Sequence, residues 1–181
     1  MGDSTTWYVV LLALVAAERV AELVVSIRHT AWARERGGVE YGRGHYPPMV
    51  VLHTALLLGC LVEVTWLDRP FVPWLGWPML AVVLAAQGLR WWCIFTLGPA
   101  WNTRVIITPG VPLVARGPYR WIRHPNYVAV VLEGMALPLV HSAWLTALAF
   151  TALNAWLLTV RIRCENTALD SATQATKAPG P

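Results

Sequence analysis

Four stretches of this chain are each long and apolar enough to reach across a bilayer, and that limits the fold more than any other feature. A hydrocarbon core of about 30 Å takes about 20 mostly apolar residues at ~1.5 Å per residue. Residues 7–27, 49–67, 74–97 and 127–160 meet that requirement. The last would form a helix of about 51 Å, too long for one modestly tilted span. At its middle stands "LPLVHSAW", where Pro138, His141 and Ser142 can break the run. The expectation is a tight helical hairpin, 127–140 and 142–160. The whole reads as an all-α integral membrane protein with about five transmembrane helices in one domain, residues 1–170. The small polar segment 171–181 is expected to be a disordered tail.

Charge supports that class. The 181 residues are 56% hydrophobic and 13% charged, with mean hydropathy +0.49, which leaves too few charges for an ordinary soluble surface. The net charge of +4 comes almost wholly from arginine, since Lys177 is the only lysine. Most of those arginines fall between the apolar runs, as membrane topology requires, and do not form a nucleic-acid footprint. Arg28, Arg34, Arg36 and Arg43 follow the first run; Arg104, Arg116, Arg120 and Arg123 follow the third; Arg161 and Arg163 follow the last. Five spans place all of them on one side. By the positive-inside rule that side is cytoplasmic, with the N-terminus outside and the C-terminus in the cytoplasm. No basic segment precedes the first run, so it reads as a retained span and not as a cleaved signal. Cys60, Cys93 and Cys164 are widely spaced and suggest neither a disulfide framework nor a metal site.

Glu18, Arg19, Glu22, His53, Glu63, Gln87, Arg90, Glu133 and Asn154 lie within or near the spans. Ionisable groups there are costly unless they pair or function. Glu18 and Glu22 share a helix face and can pair with Arg90. The alternative is a small transporter that uses Glu18, Glu22 and Arg90 along a path, or an adaptor whose basic loops bind anionic lipid. Glu133, two turns into the hairpin, is equally open to a structural or a functional role. The loop "GGVEYGRGHYPP" (37–48) is either an ordered cap or a plain connector.

The densest polar stretch is "GPYRWIRHPNY", residues 117–127. Gly117 and Pro118 mark a turn, and Pro125 can open a helix at its first position, where its missing N–H costs nothing. Tyr119, Arg120, Arg123 and His124 then present hydrogen-bonding groups at the membrane edge, beside a helix start that favours anions. A positive-inside anchor with an aromatic belt explains the same residues. After the last span comes "RIRCENTAL", in which Arg161 and Glu165 lie one helical turn apart on one face. That is either a surface ion pair or a carboxylate for a ligand's amine or ribose, with an arginine to hold an anion.

"VPLVARGPYRWIRHPNY", a hydrophobic hairpin and then Arg-x-x-x-Glu, in that order, resemble the isoprenylcysteine carboxyl methyltransferase family over roughly residues 97–169. The resemblance implies a membrane methyltransferase with S-adenosylmethionine as cofactor, bound in a cytosolic pocket. By position it puts cofactor contacts on Val111, Pro112, Leu113, Val114, Tyr119, His124, Pro125, Asn126, Tyr127 and Glu165, and places Arg161 towards the substrate. For an acceptor that needs a base, Glu133 and His141 are the candidates, His141 being expected on the far side with the hairpin turn. The short, arginine-rich form looks similar to bacterial relatives that methylate hydroxyls of polyketide-derived phenolic lipids and alkylpyrones. The expectation is therefore an amphiphilic lipid substrate entering from the bilayer, with a prenylcysteine-like carboxylate as the alternative acceptor. No metal and no nucleic acid are implied.

Overall fold

The first helix, α1 (Asp3–Glu35), continues well past the expected 7–27. No helix breaker occurs until Gly37 and Gly38, and there the chain stops in a defined way. Gly37 is left-handed at φ 74°, its N–H bonds Arg34 O at 3.1 Å, and Gly38 N–H bonds Ala33 O at 2.8 Å. These two bonds satisfy carbonyls that would otherwise be orphaned at the helix end. After α1 come β1 (Val39–Tyr41), α2 (Tyr46–Trp66), α3 (Pro73–Leu97), β2 (Val105–Ile107), α4 (Pro125–Leu139) and α5 (Trp144–Lys177). These assignments come from a computed structural model, which describes residues 3–177.

The hairpin forms where the sequence suggested. Pro138 lies in the last turn of α4, and its carbonyl accepts from His141 N at 3.3 Å and Ala143 N at 2.9 Å. Ser142 supplies the reversal at φ 55°. The arms pack closely because Gly134 of α4 lies against Phe150 of α5; a Cβ there would fall 1.9 Å from the Phe150 ring. Glu63, at the far end of α2, accepts from Leu145 N at 3.1 Å, Thr146 N at 2.7 Å and the Thr146 hydroxyl at 2.8 Å. It thus caps the first turn of α5 from another helix, a carboxylate placed at a helix N-terminus. Arg69 neutralises the same carboxylate at 3.0 Å.

Among the described residues, three segments are long and apolar enough to cross a membrane: Arg43–Trp66, Pro73–Ala100 and Trp144–Ser171. The other two helices differ for physical reasons. α4 has 15 residues and spans about 22 Å, short of a hydrocarbon core; α1 is long but carries Glu18, Arg19 and Glu22 at its middle. Those charges are paired inside the bundle. Arg19 meets Glu22 at 2.9 Å and Gln87 at 3.0 Å. Arg90 meets Glu22 at 3.4 Å and also contacts Glu133. Gln87 and Trp91 donate to Glu18. The cluster joins α1, α3 and α4. A core of Tyr8, Leu12, Leu56, Val83, Leu137 and Phe150 packs nearer the hairpin turn, where the Tyr8 hydroxyl donates to Leu137 O at 2.9 Å.

Two features go beyond the helices expected. β1 and β2 pair antiparallel, with Glu40 opposite Ile106, so the two longest arginine-bearing connectors meet at one end of the molecule. The 37–48 loop is ordered there, and Glu40 receives Arg104 at 2.7 Å. The second feature lies in the segment expected to be a disordered tail, 171–181, where α5 continues to Lys177. It lacks glycine and proline until Pro179, so nothing stops the helix ladder earlier. Residues 178–181 lie outside the described residues.

Candidate functional site

The end of the molecule that carries β1 and β2 also carries the start of α4 and the later turns of α5. Gly117–Arg120 forms a 3-10 turn against the end of α3. Gly117 is left-handed at φ 57°, with no room for a Cβ beside Thr96. This turn holds Tyr119, whose phenol pKa is pushed up by burial and by its hydrogen bond to the Cys93 thiol. The chain then reaches α4, with His124 as the residue before the helix and a fully buried Pro125 at its first position. That entry sets His124 and Tyr127 on one face, stacked with ring centroids 5.4 Å apart.

Opposite them, α5 presents Arg161, Glu165 and Asn166. Arg161 is only 4% exposed, yet its donors are well matched. Nε donates to the Tyr127 hydroxyl at 2.7 Å, one terminal nitrogen to Thr103 O at 2.6 Å, and the other to Met49 Sδ at 2.9 Å. The guanidinium also lies over the Tyr127 ring at 5.5 Å. The Tyr127 hydroxyl passes its own proton to a hydrogen bond with Glu165. His124 Nδ1 lies 3.5 Å from that carboxylate and Nε2 lies 3.1 Å from Asn166 Oδ1. The hydrogen bond to Glu165 holds the His124 pKa above its ordinary value, against the opposing effect of burial. The result is one connected group, Arg161–Tyr127–Glu165–His124–Asn166, with Glu165 still part-exposed at 27% of its side chain.

The structure therefore brings together four of the residues singled out from the sequence: His124, Tyr127, Arg161 and Glu165. Asn126 lies beside them at the start of α4, and its Oδ1 is buried with no hydrogen-bond partner. An acceptor in that position, a part-exposed carboxylate and two stacked rings fit a cationic, hydroxyl-bearing molecule such as S-adenosylmethionine. Tyr119 is held separately through Cys93. Val111, Pro112, Leu113 and Val114 form an irregular stretch between β2 and the 117–120 turn, with Leu113 67% exposed. Glu133 is not part of the group, since its carboxylate is engaged by Arg90 and by Arg19, the latter at 3.5 Å. Thr103 and Met49 were missed from the sequence. Thr103 contributes a backbone carbonyl, which any residue has, and Met49 a thioether, a weak acceptor that reads as an ordinary core residue.

Comparison with known proteins places this arrangement. The profile of the isoprenylcysteine carboxyl methyltransferase (ICMT) family matches residues 79–171, which takes in most of α3, all of α4 and most of α5. The chain is 39% identical to the uncharacterized protein YpbQ of Bacillus subtilis (strain 168) over 160 residues, 88% of this chain and 94% of that one. An uncharacterized protein of Haemophilus influenzae is 26% identical over 163 residues, 88% and 93% of the two chains. Among solved structures, the eukaryotic intramembrane Ras methyltransferase ICMT superposes with a TM-score of 0.59 at 23% identity. That match covers 72% of this chain and 47% of the other, so this chain spans about half the length of the eukaryotic protein and shares its fold there.

Proposed function

The chain belongs to the isoprenylcysteine carboxyl methyltransferase family, and on that premise we propose that it is an S-adenosylmethionine-dependent O-methyltransferase acting on an amphiphilic lipid. Membership makes it a membrane methyltransferase; the cofactor's seat and the acceptor are our reading. The observation that carries that reading is the Tyr127 hydroxyl joining Arg161 to Glu165.

When bound, S-adenosylmethionine supplies an electrophilic methyl group on a sulfonium. Glu165, His124, Asn126 and Tyr127 are the residues that would hold it. Glu165 can accept from an amine or from ribose hydroxyls, and the buried Asn126 Oδ1 offers a further acceptor. Arg161 spends three of its five N–H donors on Tyr127, Thr103 and Met49, which leaves two for an acceptor oxygen. A buried guanidinium both orients an anionic oxygen and stabilises it in that form. Alignment in a site shielded from water provides much of the rate effect for such a displacement.

This geometry favours an acceptor that arrives as an anion. A simple phenol ionises near pH 10, by analogy with tyrosine, and would need a base, but Glu133 is occupied by two arginines. An acidic hydroxyl of a polyketide-derived alkylpyrone, or of a phenolic lipid acidified by its substituents, needs none. A prenylcysteine-like carboxylate would suit Arg161 equally well and is the second reading. The lipid enters from the bilayer, and the arginine-rich end, with the site, faces the cytoplasm.

The deciding experiment incubates the purified protein with methyl-labelled S-adenosylmethionine and a membrane lipid extract, then treats labelled lipid with mild alkali. Alkali-stable label supports the hydroxyl acceptor. Label released as methanol identifies a methyl ester and replaces this reading with the carboxylate. Loss of cofactor binding in Glu165→Ala, measured by calorimetry, is expected; unchanged binding would remove Glu165 from the cofactor site.

A further inference from the structure

Near the same end of the molecule, between α1 and the start of α2, lies a cavity of ≈ 340 Å³ that the methyl-transfer reading does not use. It is lined by Ser26, Ile27, Thr30, Arg34, Tyr46 and Arg104 among others. The floor is neutral and internally satisfied. Ser26 Oγ bonds Asn102 Oδ1 at 2.8 Å and Thr103 Oγ1 at 2.7 Å, and Thr30 accepts from Asn102 at 2.8 Å. The mouth is cationic. Arg104 stacks over the Tyr46 ring at 4.3 Å, and Arg34, Arg43 and Arg104 all converge on Glu40, at 3.9, 3.4 and 2.7 Å. Three positive charges against one negative leave +2 around a carboxylate whose side chain is only 6% exposed. The arginines remain accessible, with side chains of Arg34 and Arg43 64% and 76% exposed.

One carboxylate does not need three guanidinium groups, and their unused N–H donors form forks suited to phosphate oxygens. Below the cavity, α1 continues the same helix face with Val20 (62% exposed), Leu23 (43%) and Ile27 (61%). Those residues recur at i, i+3 and i+7, and Arg34 follows one further heptad on. A cationic mouth above an exposed apolar stripe is the complement of an anionic amphiphile.

We propose that this cavity is a binding site for the phosphate headgroup of an anionic glycerophospholipid, whose acyl chains lie along the Val20–Ile27 face of α1. The site holds a structural or regulatory lipid, separate from the methyl acceptor. Arg161 does not line it and contacts the 102–104 segment through the Thr103 carbonyl, while the Thr103 hydroxyl bonds Ser26 in the cavity floor. Nothing in the proposal depends on the methyl-transfer reading.

The test uses the whole protein in nanodiscs, of phosphatidylcholine alone and of phosphatidylcholine with phosphatidylglycerol, and reads the thermal unfolding midpoint together with phosphatidylglycerol retained after detergent washing. The expected result is an upward shift of about 3 °C with phosphatidylglycerol in the wild type and retention of the lipid. Both are lost in Arg34→Gln/Arg104→Gln. Should that double variant fail to fold, Ala31→Leu fills the cavity from an exposed position without changing the charge, and is expected to lose both as well. An equal shift in wild type and variants would mean only the general attraction of a basic surface for anionic bilayers, and would overturn the proposal, as would no shift in the wild type. Inorganic phosphate added to phosphatidylcholine discs is the remaining arm; the same shift there would assign the site to a free anion and overturn the lipid.

Discussion

Arg161 Nε donates to the Tyr127 hydroxyl at 2.7 Å, and that hydroxyl donates in turn to Glu165. A phenol from α4 thus stands between the group assigned to the acceptor and the group assigned to the cofactor, both on α5, and ties the two to the facing arm of the hairpin.

Tyr127→Phe tests that link. It keeps the ring beneath the guanidinium and removes only the oxygen, leaving a buried Arg161 donor unsatisfied. Hydrogen bonds to charged groups contribute roughly 1.5–3 kcal/mol, so kcat/KM for methyl transfer is expected to fall about 10- to 100-fold. Steady-state kinetics in detergent or nanodiscs, normalised to folded protein, give the answer. Activity within about twofold of wild type would mean that the bridge holds the fold and not the site.

The His124–Glu165 contact predicts a pH dependence. The hydrogen bond and charge of Glu165 raise the His124 pKa in the folded state above an unfolded value of about 6.5. A group with a raised folded pKa contributes its full stability below the unfolded pKa and loses it as pH rises through the folded one. The unfolding midpoint of wild type relative to His124→Gln is therefore expected to be largest at about pH 6 and to shrink above neutrality. A difference that grew with pH would reverse the assigned sign and exclude the ion pair.

What the sequence made legible, and what it did not, follows from how each contact is built. Spacing along a helix is periodic, so Arg161 and Glu165 fall on one face by count, and the proline-containing break at 138–142 announces the hairpin. Of the two readings of Glu18, Glu22 and Arg90, the structure supplies pairing for Glu22, which meets Arg90, whereas Glu18 is held by Gln87 and Trp91 instead. The Tyr127 bridge was not legible, because it depends on how deeply two helices interpenetrate at Gly134. Nor was Arg161 on Thr103 O, since a backbone carbonyl has no residue signature. β1 and β2 have three residues each, too few for alternation to stand out. Glu63 stands out in the sequence only as an ionisable residue within or near a span, and its capping of α5 becomes visible only when α2 and the hairpin turn are placed side by side.

Glu133 offers a sharper test of role. In the structure it is a counter-ion to Arg90 and Arg19. Removing one partner of a buried ion pair costs about 3–5 kcal/mol, so Glu133→Gln is expected to lower the unfolding midpoint markedly while activity per folded molecule stays near wild type. A general base would behave in the opposite way, with kcat down by about 10²–10⁴ and little change in the midpoint. Arg90→Met provides the matching control, and its destabilisation should not add fully to that of Glu133→Gln, because the two remove the same pair.

At the opposite end of the hairpin, far along α5 from the site, a residue of α2 caps the helix start. Glu63 satisfies two backbone N–H groups and one hydroxyl in the first turn of α5, and no residue of α5 itself can replace it there. Glu63→Gln keeps one acceptor oxygen but loses the charge that faces the helix dipole and Arg69, whereas Glu63→Ala loses the cap entirely. A cap is worth about 0.5–2 kcal/mol and a helix-end charge up to ~2 kcal/mol when partly buried, so the expected order of stability is wild type, then Gln, then Ala. Hydrogen exchange should show the loss first at the amides of Leu145 and Thr146. Exchange that rose equally along the whole of α5 would mean instead that Glu63 stabilises the bundle globally, and the local capping role would be withdrawn.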